Sequence, residues 1–121
     1  MCIVNMDTTQ SVLTHHLEMF GEADVQGVMS DYSDDAIFIS DDGILRGHDE
    51  IKSMYADLLS EFDDEAVSFS LDEQTVVDDY AYIVWHAETP ENKYEFASDT
   101  FVIQDGEIVA QSLAADITPK A

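Results

Sequence analysis

Basic residues are scarce in this chain. Only four of its 121 residues are lysine or arginine, against 27 aspartates and glutamates, which gives a formal net charge of −23. Phosphate groups are bound by clustered lysines and arginines, so we expect neither nucleic acid nor an anionic membrane surface as a partner. The acidic residues recur in short clusters along the whole chain, a distribution typical of a solvated acidic shell around an ordinary core. We therefore predict a halophilic source with a high-salt cytoplasm.

Cysteine is almost absent, and long apolar runs are missing. Cys2 is the only cysteine, which excludes an internal disulfide and any CxxC site for a metal or for redox chemistry. No stretch approaches the ~18 apolar residues of a membrane-spanning helix, and the start of the chain lacks the pattern of a signal peptide. The histidines form no HxxxH or other ligand spacing, so we expect no metal and no cofactor. A cytoplasmic protein is expected, with residues 1–8 as a frayed tail.

The composition is nevertheless that of a folded domain. Hydrophobic residues make up 45% of the chain and aromatic residues 10%, whereas disordered acidic segments lack aromatic and β-branched residues. The length is sufficient for one hydrophobic core without disulfides or metals. We predict a single domain over residues 1–121.

Hydrophobic spacing predicts three helices followed by strands. Apolar residues recur at helical intervals over Thr9–Phe20 and Asp49–Phe62. Between them Asp24 is a good N-cap for a short helix whose apolar repeat runs from Val25 to Tyr32. Runs of β-branched and aromatic residues between turn signals predict strands at 36–40, 44–45, 66–72, 74–77, 80–89, 94–104 and 107–117. Helices first and strands afterwards indicate an α+β fold with three N-terminal helices on one face of an antiparallel sheet.

Two polar side chains occupy positions where apolar ones are expected. Alternation along the strand 94–104 places Asp99 on the same face as Ala97, Phe101 and Ile103. His16 lies in the middle of the apolar face of the first helix. Burial would raise the pKa of Asp99 and suit it to donate a hydrogen bond or act as a general acid, and His16 would be a donor or base. The alternatives are a structural aspartate and a histidine bonded to a backbone carbonyl.

The strand 80–89 is apolar on both faces. One face carries Tyr80, Tyr82, Val84 and His86, and the other carries Ala81, Ile83, Trp85 and Ala87. One face must pack on the helices, and the other needs cover as well. We therefore predict a symmetric homodimer through the outer face of the sheet.

Short segments follow one another in a characteristic order: Ala23-Asp24-Val25-Gln26-Gly27, Tyr32-Ser33-Asp34-Asp35-Ala36, Gly47 before Ile51, Ser98-Asp99-Thr100-Phe101 and Asp105-Gly106-Glu107-Ile108-Val109. In this order and spacing they resemble the SnoaL-like branch of the nuclear transport factor 2-like superfamily, over nearly the whole chain. The resemblance implies a cone-shaped domain in which a strongly bent sheet wraps the helices and leaves a pocket at the open end. Members include ketosteroid isomerases, polyketide cyclases, dehydratases, epoxide hydrolases and binding modules without catalysis.

Comparison with the ketosteroid isomerases supplies expected roles for individual residues. It places Asp99 on their protonated aspartate, His16 on their tyrosine and Ser40 on their base. Because a serine cannot serve as a carboxylate base, steroid isomerisation in that form is not expected. Aromatic residues near the mouth of such a cone become the pocket wall, and the candidates are Phe20, Phe38, Tyr55, Trp85 and Phe101.

The turn at Asp105-Gly106 determines which residue joins Asp99 in the pocket. A two-residue turn would place Ser112 opposite Asp99, whereas a three-residue turn with a glycine bulge would place Gln111 there. The resemblance favours the bulged turn. An amide opposite a buried carboxyl can also satisfy either of its protonation states. We predict Gln111 and Asp99 on one concave face, with Ser112 turned outward.

These observations predict a homodimeric pocket protein that binds a small, largely apolar molecule, with Asp99, His16 and Gln111 as its polar groups. If it is an enzyme, the resemblance implies cofactor-free proton transfer of the isomerase, cyclase or dehydratase kind. Asp99 would be the acid or oxyanion partner and His16 the base. The alternative is a non-catalytic binding or dimeric assembly domain.

Overall fold

The described part of the chain forms three helices and six strands. A computed structural model describes residues 8–120. The elements are α1 (Thr9–Gly21), α2 (Val25–Met29), β1 (Tyr32–Ser40), β2 (Gly43–Arg46), α3 (Gly47–Phe62), β3 (Ser68–Val77), β4 (Tyr80–Glu88), β5 (Asn92–Gln104) and β6 (Glu107–Pro119). This order confirms the predicted α+β class. Residues 1–7 of the predicted tail, Cys2 among them, lie outside the described residues.

Local side-chain contacts fix where the helices begin. The Thr8 side chain accepts a hydrogen bond from the Ser11 amide and caps α1, and Asp24 caps α2 by accepting one from the Gly27 amide. In α3, Asp49 and Glu50 occupy the first turn, where the helix dipole favours negative charge. The second helix is shorter than predicted, because it ends at Met29 and Tyr32 begins β1.

The six strands form one curved sheet in the order β2-β1-β6-β5-β4-β3. All neighbours pair antiparallel except β1 and β6, which are parallel, so the predicted antiparallel sheet is corrected at this pair. Register shifts interrupt four of the five pairings, and such bulges bend strands and increase their twist. The predicted strands 66–72 and 74–77 are one strand, β3, with an extra residue at Asp72.

The hydrophobic core lies between the concave face of this sheet and the helices. Val12 and Leu13 of α1 and Ile51 and Leu59 of α3 are buried there. Along β4, the face that carries Ala81, Ile83, Trp85 and Ala87 is the inner one. The curved sheet therefore wraps around α1 and α3.

The hairpin β5–β6 differs in detail from its prediction. Asp105 and Gly106 both have positive φ and form a two-residue turn, so the predicted three-residue turn is wrong. The bulge lies further along, at Val109, and as a result Leu113 rather than Gln111 is paired with Asp99. Gln111 still lies on the concave face beside Asp99, as predicted, while Ser112 and Ala114 are exposed.

Within the described part of the chain, no helix has both the length and the apolar composition needed to cross a membrane. Several large apolar side chains on the convex face of the sheet are exposed, among them Tyr80, Tyr82 and Phe96.

Candidate functional site

A cavity lies between α1, α3 and the concave face of the sheet. The empty space at this place is about 430 Å³ when the open solvent at its mouth is included, and its wall is mostly apolar. The lining residues are His16, Leu17, Phe20, Phe38, Met54, Tyr55, Leu58, Phe69, Ile83, Trp85, Asp99, Phe101 and Leu113. A wider depression shares Leu17, Phe20 and Phe69 with this cavity. The cavity therefore meets the surface between the end of α1 and the edge strand β3.

Asp99 is the carboxyl group of the cavity. Strand alternation turns it inward from the middle of β5, and only 7% of the residue is exposed. Trp85 Nε1 donates to Oδ1 at 2.8 Å, and Gln111 Nε2 donates to Oδ2 at 2.7 Å. Burial raises the pKa of Asp99 to about 6, and the bonds from Trp85 and Gln111 oppose a larger rise. At neutral pH the cavity therefore holds a carboxylate.

Gln111 connects this carboxylate to two buried tyrosines. Its Oε1 accepts from the Tyr32 hydroxyl and, at 3.3 Å, from the Tyr55 hydroxyl, and the two hydroxyl oxygens lie 2.7 Å apart. Burial raises the pKa of both tyrosines. The network orients the Gln111 amide, with its nitrogen toward Asp99 and its oxygen toward the tyrosines.

His16 is buried among aromatic rings. Its ring centroid lies 5.2 Å from that of Phe101, 5.8 Å from that of Tyr32 and 5.9 Å from that of Tyr55, each in an edge-on arrangement. Burial lowers the pKa of His16 to about 4, so the ring is neutral at physiological pH. Its Nδ1 is buried and has no hydrogen-bond partner among the described residues. An unsatisfied buried polar group typically costs ~1–3 kcal/mol.

The neighbouring residue, His15, has a structural contact instead. Its Nδ1 lies 2.8 Å from Oδ1 of Asp31, which is nearly buried at the start of β1. The hydrogen bond to Asp31 raises the pKa of His15. This pair joins α1 to the residue that directly precedes β1.

Glu61 supports the wall of the cavity from outside. Near the end of α3 its carboxylate accepts hydrogen bonds from Thr89, Asn92 and Tyr94 at 2.7–3.0 Å. The Tyr94 ring packs on Trp85 with a centroid distance of 5.5 Å. Glu61 therefore helps to position the indole that holds Asp99.

Seven of the eight residues predicted for the site line the cavity: His16, Phe20, Phe38, Tyr55, Trp85, Asp99 and Phe101. The eighth, Gln111, contacts Asp99 directly. Ser40 lies apart from them in the β1–β2 hairpin, where its hydroxyl accepts from the Asp42 amide. Across residues 8–120, no group of three or more His, Cys, Asp or Glu side chains is arranged to hold a metal ion. The roles of the named residues stay predictions.

Tyr32 is the polar residue of the site that was not predicted from the sequence. The apolar repeat from Val25 predicts it in the second helix instead. The available signal was alternation in β1, because Tyr32, Ala36 and Phe38 are separated by even numbers of residues and are all buried on the inner side.

The fold is similar to several solved structures. An NTF2-like protein of unknown function from Mesorhizobium loti matches with a TM-score of 0.77 and 16% identity, over 95% of this chain and 97% of that one. The epoxide hydrolase/cyclase-like enzyme SalBIII, which has a role in pyran ring formation in salinomycin, matches with 0.75 and 15%, over 93% and 95%. A candidate ketosteroid isomerase from Kribbella flavida matches with 0.71 and 8%, over 95% and 84%. At these identities the likeness shows the fold alone.

The sequence supports a closer assignment. No curated protein matches it. Residues 13–111, which include most of α1, most of the sheet and every residue of the Asp99 network, match the model of the SnoaL-like domain. The chain therefore belongs to the SnoaL-like domain family.

Proposed function

We propose that this protein binds a small, largely apolar molecule in its cavity and catalyses a cofactor-free proton transfer on it, as an isomerase, cyclase or dehydratase. The observation that carries the proposal is the buried carboxylate of Asp99 in an otherwise apolar cavity. A carboxyl group with a raised pKa in a water-poor pocket is a general acid or base with a stated physical origin.

The pKa values of Asp99 and His16 favour a different base from the one that the resemblance implies. General bases work best when their pKa lies near the working pH. Asp99, with a pKa of about 6, meets this condition better than His16, whose pKa is about 4. We propose Asp99 as the base. His16 is then a neutral ring that exchanges one hydrogen bond with the substrate.

Two further considerations bear on the reaction class. The similar structures include an epoxide hydrolase/cyclase-like enzyme and a candidate ketosteroid isomerase, so small-molecule chemistry is found on this fold. Fold alone does not select a reaction. The position of the ketosteroid isomerase base is occupied by Ser40, which lies outside the cavity lining, and this argues against steroid isomerisation in that arrangement.

The proposal includes a homodimer through the convex face of the sheet. Phe96, Tyr80 and Tyr82 are exposed there by 39–53%. Between them lie uncharged residues such as Ser98 and Thr100, although the chain as a whole carries a net charge of −23. An uncharged patch of this kind lets two strongly acidic molecules approach each other. A specific dimer of this kind should bury at least ~1,000 Å² in total. Light scattering at molar salt should give twice the mass of one chain. A monomer at micromolar concentration would contradict the dimer.

The base role is testable without knowledge of the natural substrate. In 5-nitrobenzisoxazole a base removes the carbon-bound proton, the ring N–O bond breaks, and a coloured cyanophenolate forms. A desolvated carboxylate in an aromatic cavity should accelerate this reaction above acetate at equal concentration. Asp99→Asn should remove ~10²-fold or more of the acceleration, the lower end of typical general-base contributions.

The matched control is Asp57→Asn, which makes the same chemical change at an exposed position of α3. It should leave the rate unchanged. Equal rates for the wild type, Asp99→Asn and free acetate would refute the assignment of Asp99 as a base.

A further inference from the structure

Most hydrogen-bond donors around Asp99 are already in use. The single N–H of Trp85 donates to Asp99, and the O–H groups of Tyr32 and Tyr55 are engaged with Gln111 and with each other. A neutral His16 has one N–H to offer. The cavity is therefore poor in free donors, so an anionic group of a ligand would find little stabilisation there.

The negative charge of Asp99 is not balanced by a nearby cation. All four basic side chains lie within residues 8–120, and none of them lines the cavity. Lys93 and Lys120 pair with glutamates at the surface, and Arg46 and Lys52 are exposed. A buried charge without a partner is unfavourable, and the net charge of −23 on the chain adds a negative potential around the cavity.

The rest of the wall is suited to a positive charge. Six aromatic rings besides His16 line the cavity: Phe20, Phe38, Tyr55, Phe69, Trp85 and Phe101. The faces of such rings attract alkylammonium groups, by ~2 kcal/mol or more where water is excluded. One carboxylate surrounded by aromatic rings is the combination that binds organic cations in water.

We propose that the natural ligand of this cavity is a small organic monocation, with an alkylammonium group against Asp99 and an apolar remainder against the aromatic rings. This inference rests on the proposed function in taking the cavity as the binding site, and it adds the charge of the ligand. Neutral and anionic molecules of the same shape should bind more weakly than the cation.

The test compares three probes of similar size. They are benzyltrimethylammonium, its uncharged isostere neopentylbenzene, and the anion phenylacetate. Trp85 is the only tryptophan of the chain and contacts both Asp99 and the cavity, so its fluorescence reports on binding, with calorimetry as a second readout. Titrations at 1 M salt limit weak attraction to the acidic surface, because charges there are screened over about 3 Å.

We expect the cation to bind at least tenfold more tightly than the isostere, and phenylacetate not to bind. Asp99→Asn should weaken binding of the cation by tenfold or more and leave binding of the isostere unchanged, while Asp57→Asn should change neither. Equal or tighter binding of neopentylbenzene, or an unchanged cation affinity in Asp99→Asn, would overturn this inference but not the proposed function. Failure of both the cation and the isostere to bind would overturn both.

Discussion

Replacing Asp99 by asparagine should stabilise the protein at neutral pH. Burial raises the pKa of Asp99 from 3.8 to about 6. For an acid whose pKa is higher in the folded state, the ionised form destabilises folding. This penalty is absent below the unfolded value of 3.8 and is complete above about pH 6. Since one pKa unit corresponds to about 1.4 kcal/mol, the penalty above pH 6 is about 3 kcal/mol.

The hydrogen bonds of the network can be kept in the variant. Asparagine at this position can accept from Trp85 and donate to Gln111 after the Gln111 amide turns over. The reoriented amide can then donate to the Tyr32 oxygen. We therefore expect Asp99→Asn to raise the free energy of unfolding by about 1–3 kcal/mol at pH 8.

The pH dependence distinguishes this explanation from a general gain in stability. Between pH 5 and pH 8 the advantage of the variant should grow by about 1–2 kcal/mol, because part of the penalty is already present at pH 5. Urea unfolding followed by circular dichroism at constant molar salt measures this difference. Asp57→Asn should show a difference from the wild type that does not change with pH. A destabilised Asp99→Asn protein, or a pH-independent difference, would refute the reasoning.

Three other properties follow from the same contacts and charges. Screening of acidic repulsion should raise the melting temperature steeply between 0.1 and 1 M salt, in line with the predicted halophilic source and high-salt cytoplasm. A melting temperature that does not change with salt would contradict this prediction. Tyr32→Phe should lower the free energy of unfolding by about 0.5–1.5 kcal/mol through loss of the bond to Gln111, measurable by urea unfolding; no loss would mean that the hydroxyl is unimportant. Nitrogen NMR shifts should show a neutral His16 ring at pH 5, whereas His15, bonded to Asp31, should be protonated; a protonated His16 there would contradict its burial.

Periodicity was sufficient to find the parts of the site that lie on regular elements. Helical spacing placed His16 on the buried face of α1, and strand alternation placed Asp99 on the inner face of β5. Both signals are local, since they depend only on residues within a few positions of one another. The aromatic residues of the cavity wall were predicted from the same helix and strand faces and from the family resemblance.

The remaining features depend on contacts between distant parts of the chain. Parallel pairing of β1 with β6 joins strands that are separated along the chain by α3 and four other strands, and no turn signal indicates it. The bulge at Val109 sets which residues face each other across β5 and β6, but the Asp-Gly turn fits both registers that the sequence allowed. Helical spacing predicts Tyr32 in the second helix, because it lies seven residues after Val25 and four after Val28, and only the observed strand pairing overrides that local pattern.

The most direct test of the account is a titration of the Asp99 carboxyl carbon by NMR. The proposed base and the proposed cation site both require a buried carboxyl that is ionised at neutral pH and is bonded to Trp85 and Gln111. The account predicts that this carbon titrates with a pKa of about 6 in the free protein, and that the pKa falls when benzyltrimethylammonium is bound. Titration near 3.8 without response to the cation would show a solvated carboxyl and would contradict both proposals.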